Sequence, residues 1–129
     1  MEITYSILVV DDDVDILNAL KFLLEDEGYD VQIADKGDYA ESLAMGNQVL
    51  PDLIVLDVLL SGKDGRLICQ KLKSQDETKH IPIVMMSAHP NAEHSVKKVG
   101  ADAFIAKPFS IDNLLSLIPS LLPEKDNPV

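Results

Sequence analysis

Asp11, Asp12, Asp57, Ser87 and Lys107 are the residues through which this chain could do chemistry. Each lies where a short apolar run stops. Ile7–Val10 precede Asp11 and Asp12, Leu53–Leu56 precede Asp57, Ile81–Met86 precede Ser87, and Ala103–Ala106 precede Lys107. Carboxylates are hard oxygen ligands, and one or two of them with a phosphate oxygen suit an octahedral magnesium ion. An aspartate can also take a phosphoryl group as an acyl phosphate. An ammonium neutralises phosphate oxygens and a hydroxyl donates to them. Brought together, these side chains would serve a divalent metal and a phosphoryl group.

Residues so far apart in sequence meet only if the intervening elements place them. Short apolar runs that alternate with helical patterns read as buried parallel strands. After Asp13, the residues Ile16, Leu17, Leu20, Leu23 and Leu24 share one helix face, and Gly28 can close that helix. Val31–Ala34 reads as a second strand. Gly37 precedes a second helix with Ala40, Leu43 and Ala44 facing in. Pro51-Asp52 opens the third strand, Ser61–Gly65 reads as a loop, and Leu67, Ile68 and Leu72 form the stripe of a third helix. A mostly polar helix over 91–99 stops at Gly100. Ser110 caps a last helix carrying Leu114, Leu115, Ile118, Leu121 and Leu122, which Pro119 should kink or end early. The polar tail over 123–129 should fray.

These elements imply an α/β fold, a doubly wound five-stranded parallel sheet with helices on both faces, as one domain over residues 1–122. In the flavodoxin-like order 2-1-3-4-5, the four strands that end in the chemical residues are contiguous. A ligand site in such a sheet lies beyond the carboxyl ends of the strands.

Composition narrows the partners. The chain has 129 residues, 47% hydrophobic and 26% charged, so it can bury a core and disorder is not expected. Its formal net charge of -11, with no basic patch, argues against nucleic acid and anionic lipid as partners. Cys69 is the one cysteine and lies in an apolar stretch, so no internal disulfide can form and a buried thiol is expected. No apolar run is long enough to span a bilayer and the N-terminus has no secretory pattern, so a cytoplasmic location is the expectation.

The chain resembles a response regulator receiver domain of two-component signalling. The stretches that carry the likeness are Ile7–Asp12, Pro51–Asp57, Gly62–Gly65, Ile81–Ala88 and Gly100–Phe109, in family order and spacing over nearly the whole chain. The resemblance implies that Asp57 accepts a phosphoryl group from a sensor histidine kinase or phosphotransfer protein. It implies that Asp11, Asp12, Asp57 and the backbone carbonyl of Leu59 hold Mg2+, and that Ser87 and Lys107 contact the phosphoryl group. Ser87 and Phe104 would act as the switch, and the Lys107–Pro108 peptide would be cis. The surface of the fourth helix, fifth strand and fifth helix would then signal to an unidentified downstream protein. The expected type is a single-domain, monomeric phosphoacceptor rather than a turnover enzyme. Three features depart from the pattern: Leu60-Ser61-Gly62 replaces the usual Met-Pro-Gly, Ser87 the commoner threonine, and Phe104 a frequent tyrosine.

Two rivals stay open on the residues alone. Asp11-Asp12-Asp13-Val14 also fits the motif of haloacid-dehalogenase-like phosphatases, with Asp11 as nucleophile and Asp13 as general acid. Against that reading, no acidic pair follows Lys107, and Asp57 is left without a role. The other rival is a pseudo-receiver that binds without being phosphorylated. An aspartate after a strand is most often a helix cap, which is the expectation for Asp13 or Asp15. His89 could line the mouth of the site or sit exposed in a loop. His80 and His94 read as surface residues, and Met85 and Met86 as core filling.

Overall fold

A computed structural model describes residues 3–46, 49–89 and 91–125. Its strands and helices alternate: β1 (Ser6–Val10), α1 (Val14–Asp26), β2 (Asp30–Ala34), α2 (Gly37–Ser42) with a 3-10 turn at Leu43–Met45, and β3 (Leu53–Asp57). Then come β4 (Leu59–Leu60), β5 (Lys63–Asp64), α3 (Gly65–Lys73), β6 (Ile83–Ser87), α4 (Ala92–Lys98), β7 (Ala103–Ala106) and α5 (Ile111–Leu121). The main sheet is parallel, in the order β2-β1-β3-β6-β7. These are the five expected strands in the expected 2-1-3-4-5 order.

Alternation along the strands divides the core in two. Leu8, Val10, Ile54, Leu56, Ile83 and Met85 face α2, α3 and α4, where Ala40, Leu43, Ile68, Leu72 and Val96 meet them. Ile7, Val9, Val55, Val84 and Met86 face α1 and α5, where Leu17, Leu20, Leu24, Leu114 and Ile118 meet them. Successive strand side chains point to opposite faces, so a run of apolar residues on one strand feeds both layers. The register sets Val10 beside Leu56, Asp57 beside Met86, and Ser87 beside Ala106. The strands therefore end within a residue or two of one another at one rim.

Local signals behave as their chemistry requires. Asp13 caps α1, its carboxylate accepting from the N–H groups of Asp15 (3.0 Å) and Ile16 (3.3 Å). Gly28 follows α1 with φ +95, a left-handed conformation that favours glycine. Ser110 caps α5 through the N–H of Asn113 at 3.4 Å.

Four details differ from the sequence reading. Ser61–Gly65 is not a plain loop: Leu59 pairs with Asp64 and Leu60 with Lys63 in a small antiparallel hairpin, turned at Gly62 with φ +76. The inward stripe of α3 is Ile68, Cys69 and Leu72, while Leu67 is 63% exposed. Pro119 lies in the last turn of α5, and the helix runs on to Leu121 before stopping. A proline so near the end removes one N–H where few helical bonds remain. The start of the tail is tethered. The Tyr5 hydroxyl donates to the carbonyl of Pro123 (2.7 Å), and Lys125 reaches Asp52 (2.8 Å) and stands 4.7 Å over the Tyr5 ring. Residues 126–129 of the expected frayed tail lie outside the described residues.

Candidate functional site

At the carboxyl ends of β1 and β3 and the start of the segment after β7, four of the five chemical residues, Asp11, Asp12, Asp57 and Lys107, meet. Asp11 and Asp57 are buried, at 0% and 5% exposure, whereas Asp12 is exposed. The Lys107 Nζ lies between the two buried carboxylates, 2.7 Å from Asp11 Oδ2 and 3.2 Å from Asp57 Oδ2. One carboxylate oxygen each from Asp11, Asp12 and Asp57 fall within 4.8 Å of one another. The other Asp11 oxygen accepts from the N–H of Asp13 at 2.9 Å, which fixes that carboxylate from behind. Asp12 takes its hydrogen bond from the Ser61 hydroxyl at 3.0 Å.

The electrostatics follow from burial and crowding. Burial pushes the Asp57 carboxyl above its usual value, and the negative charges of Asp11 and Asp12 push the same way. Lys107 opposes them by its charge and its hydrogen bond, without cancelling them. Burial works against the Lys107 charge, yet the hydrogen bond to Asp11 and the negative charges of Asp57 and Asp11 outweigh it, so the ammonium pKa is raised. Lys107 is therefore charged throughout the physiological range. Three carboxylates crowd beside one cation that pairs with only two of them, Asp11 and Asp57, which leaves room for a further positive charge. Three hard oxygens with their lone pairs converging match what magnesium takes, with further positions left for water and a phosphate oxygen.

Ser87 is buried at the end of β6, one register row beyond Asp57. Its hydroxyl oxygen accepts from the N–H of His89 at 3.0 Å, and its carbonyl accepts from the N–H of Lys107 at 2.8 Å. Phe104 stands beside Met85 in the register, half-buried against the layer that holds α4. Leu59 is 54% exposed in the hairpin. The Lys107–Pro108 peptide is cis. A cleft of about 350 Å³ opens beside the site, lined by Leu59, Arg66, Ser87, His89 and Ser95 among others. His89 thus borders the mouth of the site as an exposed residue, so both readings of it hold in part.

Backbone packing also holds the Asp57 segment in place. The N–H of Gly65 donates to the carbonyl of Val58 at 2.7 Å, so the start of α3 presses on the residues that follow β3. A Cβ on Gly65 would overlap the carbonyl oxygen of Asp57 and lie 3.2 Å from the Val58 Cα. Glycine is needed here for close approach, not for an unusual φ.

Two residues of the site escaped the sequence reading. Ser61 stood out only as a departure from a family turn, yet its hydroxyl engages Asp12. Arg66 carried no signal. Its guanidinium grips Asp64, the N-cap of α3, through Nε (2.9 Å) and Nη2 (2.7 Å), and reaches the Ser95 hydroxyl on α4 at 3.2 Å.

The sequence profile of the response regulator receiver domain matches residues 7–119. This chain belongs to that family. The receiver is 37% identical over 122 residues to the DNA-binding dual master transcriptional regulator RpaA of Synechocystis, covering 93% of this chain and 50% of that protein. It is 35% identical over 119 residues to the phosphate regulon transcriptional regulatory protein PhoB of Rhizobium meliloti, covering 91% of this chain and 52% of the relative. The chain thus spans about half the length of these two relatives. Among solved structures, the receiver resembles the chemotaxis response regulator CheY4 of Vibrio cholerae with a TM-score of 0.82 at 30% identity, covering 93% of this chain and 100% of that one. It also resembles the signal receiver domain of a signal transduction histidine kinase from Syntrophus aciditrophicus, with a TM-score of 0.83 at 30% identity, over 97% of this chain and 96% of that one. Among the described residues no helix is long and apolar enough to cross a membrane.

Proposed function

We propose that residues 1–122 act as a phosphoacceptor in a two-component relay, with Asp57 as the acceptor. The observation that carries this reading is the Lys107 ammonium shared between Asp11 and Asp57, with Asp12 alongside. A carboxylate oxygen of Asp57 attacks the phosphorus of a phosphohistidine on a sensor kinase or phosphotransfer protein. The N–P bond breaks, the imidazole leaves and takes its proton from solvent, and an acyl phosphate remains. Such transfer is mostly positioning and charge neutralisation. Mg2+, when held by Asp11, Asp12, Asp57 and the Leu59 carbonyl, supplies positive charge to the phosphoryl oxygens. Lys107 neutralises a further oxygen, and the Ser87 hydroxyl, by turning from the His89 N–H, donates to another. This reading makes the protein a self-modifying acceptor rather than a turnover enzyme. The use of Asp13 as the cap of α1 also favours it over the phosphatase alternative, which would need that carboxylate as an acid.

Movement of Ser87 toward the phosphoryl group would open space beside Met85 and Ala106, into which Phe104 can turn. That repacks α4, β7 and α5, a local packing change read by a downstream protein. The outward residues of α5 include Asp112, Asn113, Ser116 and Ser120, of which only Asp112 is charged. That scarcity of complementary charge favours a different protein over a second copy as the partner.

Labelling with a small phosphodonor in the presence of magnesium tests the assignment. Wild type should take up one phosphoryl group and Asp57→Asn none. Undiminished labelling of Asp57→Asn would overturn it.

The cleft beside the site makes a second expectation. Loss of phosphate needs a water in line with the acyl bond, and the Leu59 side chain offers no polar atom to orient one. Leu59→Asn should speed dephosphorylation by about fivefold, well under the ~100-fold of a positioned general base. A time course of the labelled protein measures this. An equal or slower rate would mean that Leu59 does not govern access.

A further inference from the structure

We propose that Ser61 is a positioning residue for the metal site, acting through Asp12. The inference rests on the reading of Asp11, Asp12 and Asp57 as magnesium ligands, and it concerns a residue that the usual proline of this turn could not replace.

The three carboxylates are not held alike. Asp11 is fully buried, and its two oxygens are fixed by the N–H of Asp13 and the Lys107 ammonium. Asp57 is almost as buried and is fixed by Lys107 and by the backbone contact with Gly65. Asp12 is exposed, and among the described residues the Ser61 hydroxyl is the one group that hydrogen-bonds its carboxylate. Without that bond an exposed carboxylate samples several rotamers, and binding a metal must first order it.

Ser61 is itself well placed to impose that order. It sits at the tip of the β4–β5 hairpin, between the paired residues Leu60 and Lys63. One end of the hairpin is anchored by Leu60, buried in the core beside Val58. The other is anchored by Lys63, whose ammonium bonds Glu41 on α2 at 2.9 Å and lies 3.3 Å from Asp38. Asp64 then caps α3 and is gripped by Arg66, whose hydrogen bonds hold its carboxyl below the usual value. A fixed turn thus carries a hydroxyl to the one metal carboxylate that the core leaves unsupported. The hydroxyl uses one lone pair of Asp12 Oδ2 and leaves those of Oδ1 free for a cation. Groups that orient a metal ligand commonly matter as much as a weak ligand does.

Magnesium chloride titrated by calorimetry into the metal-free protein tests this. Asp12→Ala serves as the control for the site. Ser61→Ala should weaken magnesium binding about tenfold, the low end for loss of such a support, with the metal-free unfolding curve unchanged. Ser61→Thr, which keeps the hydroxyl, should bind as wild type does. A loss under about threefold in Ser61→Ala, set against that tenfold expectation, would overturn the proposal. So would an equal loss in Ser61→Ala and Ser61→Thr, because the turn rather than the hydroxyl would then be responsible. Wild type that binds no magnesium would overturn the metal reading and this inference with it.

Discussion

Gly65→Ala should lower the unfolding free energy by about 2–3 kcal/mol, the upper part of the usual cost of forcing an extra carbon into a packed site. Alanine is intrinsically the better helix residue by about 1 kcal/mol, so helix propensity pushes the other way. Sterics should win because the obstacle is backbone. The new Cβ would meet the carbonyl oxygen of Asp57 and the Cα of Val58, neither of which can rotate aside as a side-chain tip would. Either the start of α3 lifts away, which lengthens the bond from the Gly65 N–H to Val58, or Asp57 moves off its place beside Lys107. Urea unfolding with a constant m-value measures the first effect. Slower phosphate uptake per folded molecule measures the second. A variant as stable as wild type would show that the two segments separate easily.

Magnesium should stabilise the protein by about 2.7 kcal/mol at a hundredfold excess over its dissociation constant, the mass-action gain for a ligand of the folded state alone. Asp12→Ala should remove most of that gain. The metal-free protein should show the strain that magnesium relieves. Burial first, and the Asp11 charge next, raise the Asp57 pKa above its unfolded value. The folded state therefore holds the Asp57 proton more tightly than the unfolded chain does. The stability contributed by this group is complete below the unfolded pKa of about 3.9 and is lost as pH rises through the folded value. At neutral pH a charged Asp57 is thus a cost, and Asp57→Asn should melt higher than wild type when no metal is present. The difference should shrink as pH falls through the folded value and vanish below the unfolded pKa of about 3.9, where Asp57 is protonated in both states. Lys107 acts in the opposite region: its raised pKa contributes stability below the ordinary lysine value, which is lost as pH rises through the folded value. Thermal melts across pH, with and without magnesium, test these signs together. A metal-free Asp57→Asn protein less stable than wild type at neutral pH would mean that Lys107 outweighs the repulsion.

Much of this architecture is legible in the residue pattern. Ile7–Val10 and Leu53–Leu56 are apolar at every position, which only strands covered on both faces tolerate, and the polar residue ending each run marks the rim. What sequence pattern left out has physical reasons. Two-residue strands such as Leu59–Leu60 and Lys63–Asp64 are too short for any periodicity to register. Leu67 and Cys69 flank Ile68 on α3, and hydrophobicity alone favours burying the leucine. The helix turns the smaller cysteine inward instead, leaving Leu67 to solvent. Burial then raises the Cys69 thiol to about 11, as suits a packing residue rather than a nucleophile. The hold of Asp52 on Lys125 joins residues 73 apart, beyond the reach of any local signal. The same is true of Ser61 and Asp12, where neither residue type announces the other.

The site itself divides in the same way. That Asp11, Asp57 and Lys107 would meet follows from strand order, because β1, β3 and the end of β7 share one rim. That Lys107 lies within hydrogen-bond reach of both buried carboxylates does not follow from it. That depends on how far a flexible side chain extends, and on two negative charges competing for it.

Locating the acyl phosphate tests the central claim most directly. The protein would be phosphorylated with a small phosphodonor and magnesium, reduced with borohydride to convert the acyl phosphate to an alcohol, and digested for peptide sequencing by mass spectrometry. The expected result is homoserine in place of Asp57 and at no other aspartate. Homoserine at Asp11, or none at any position in a protein shown to bind magnesium, would contradict the assignment.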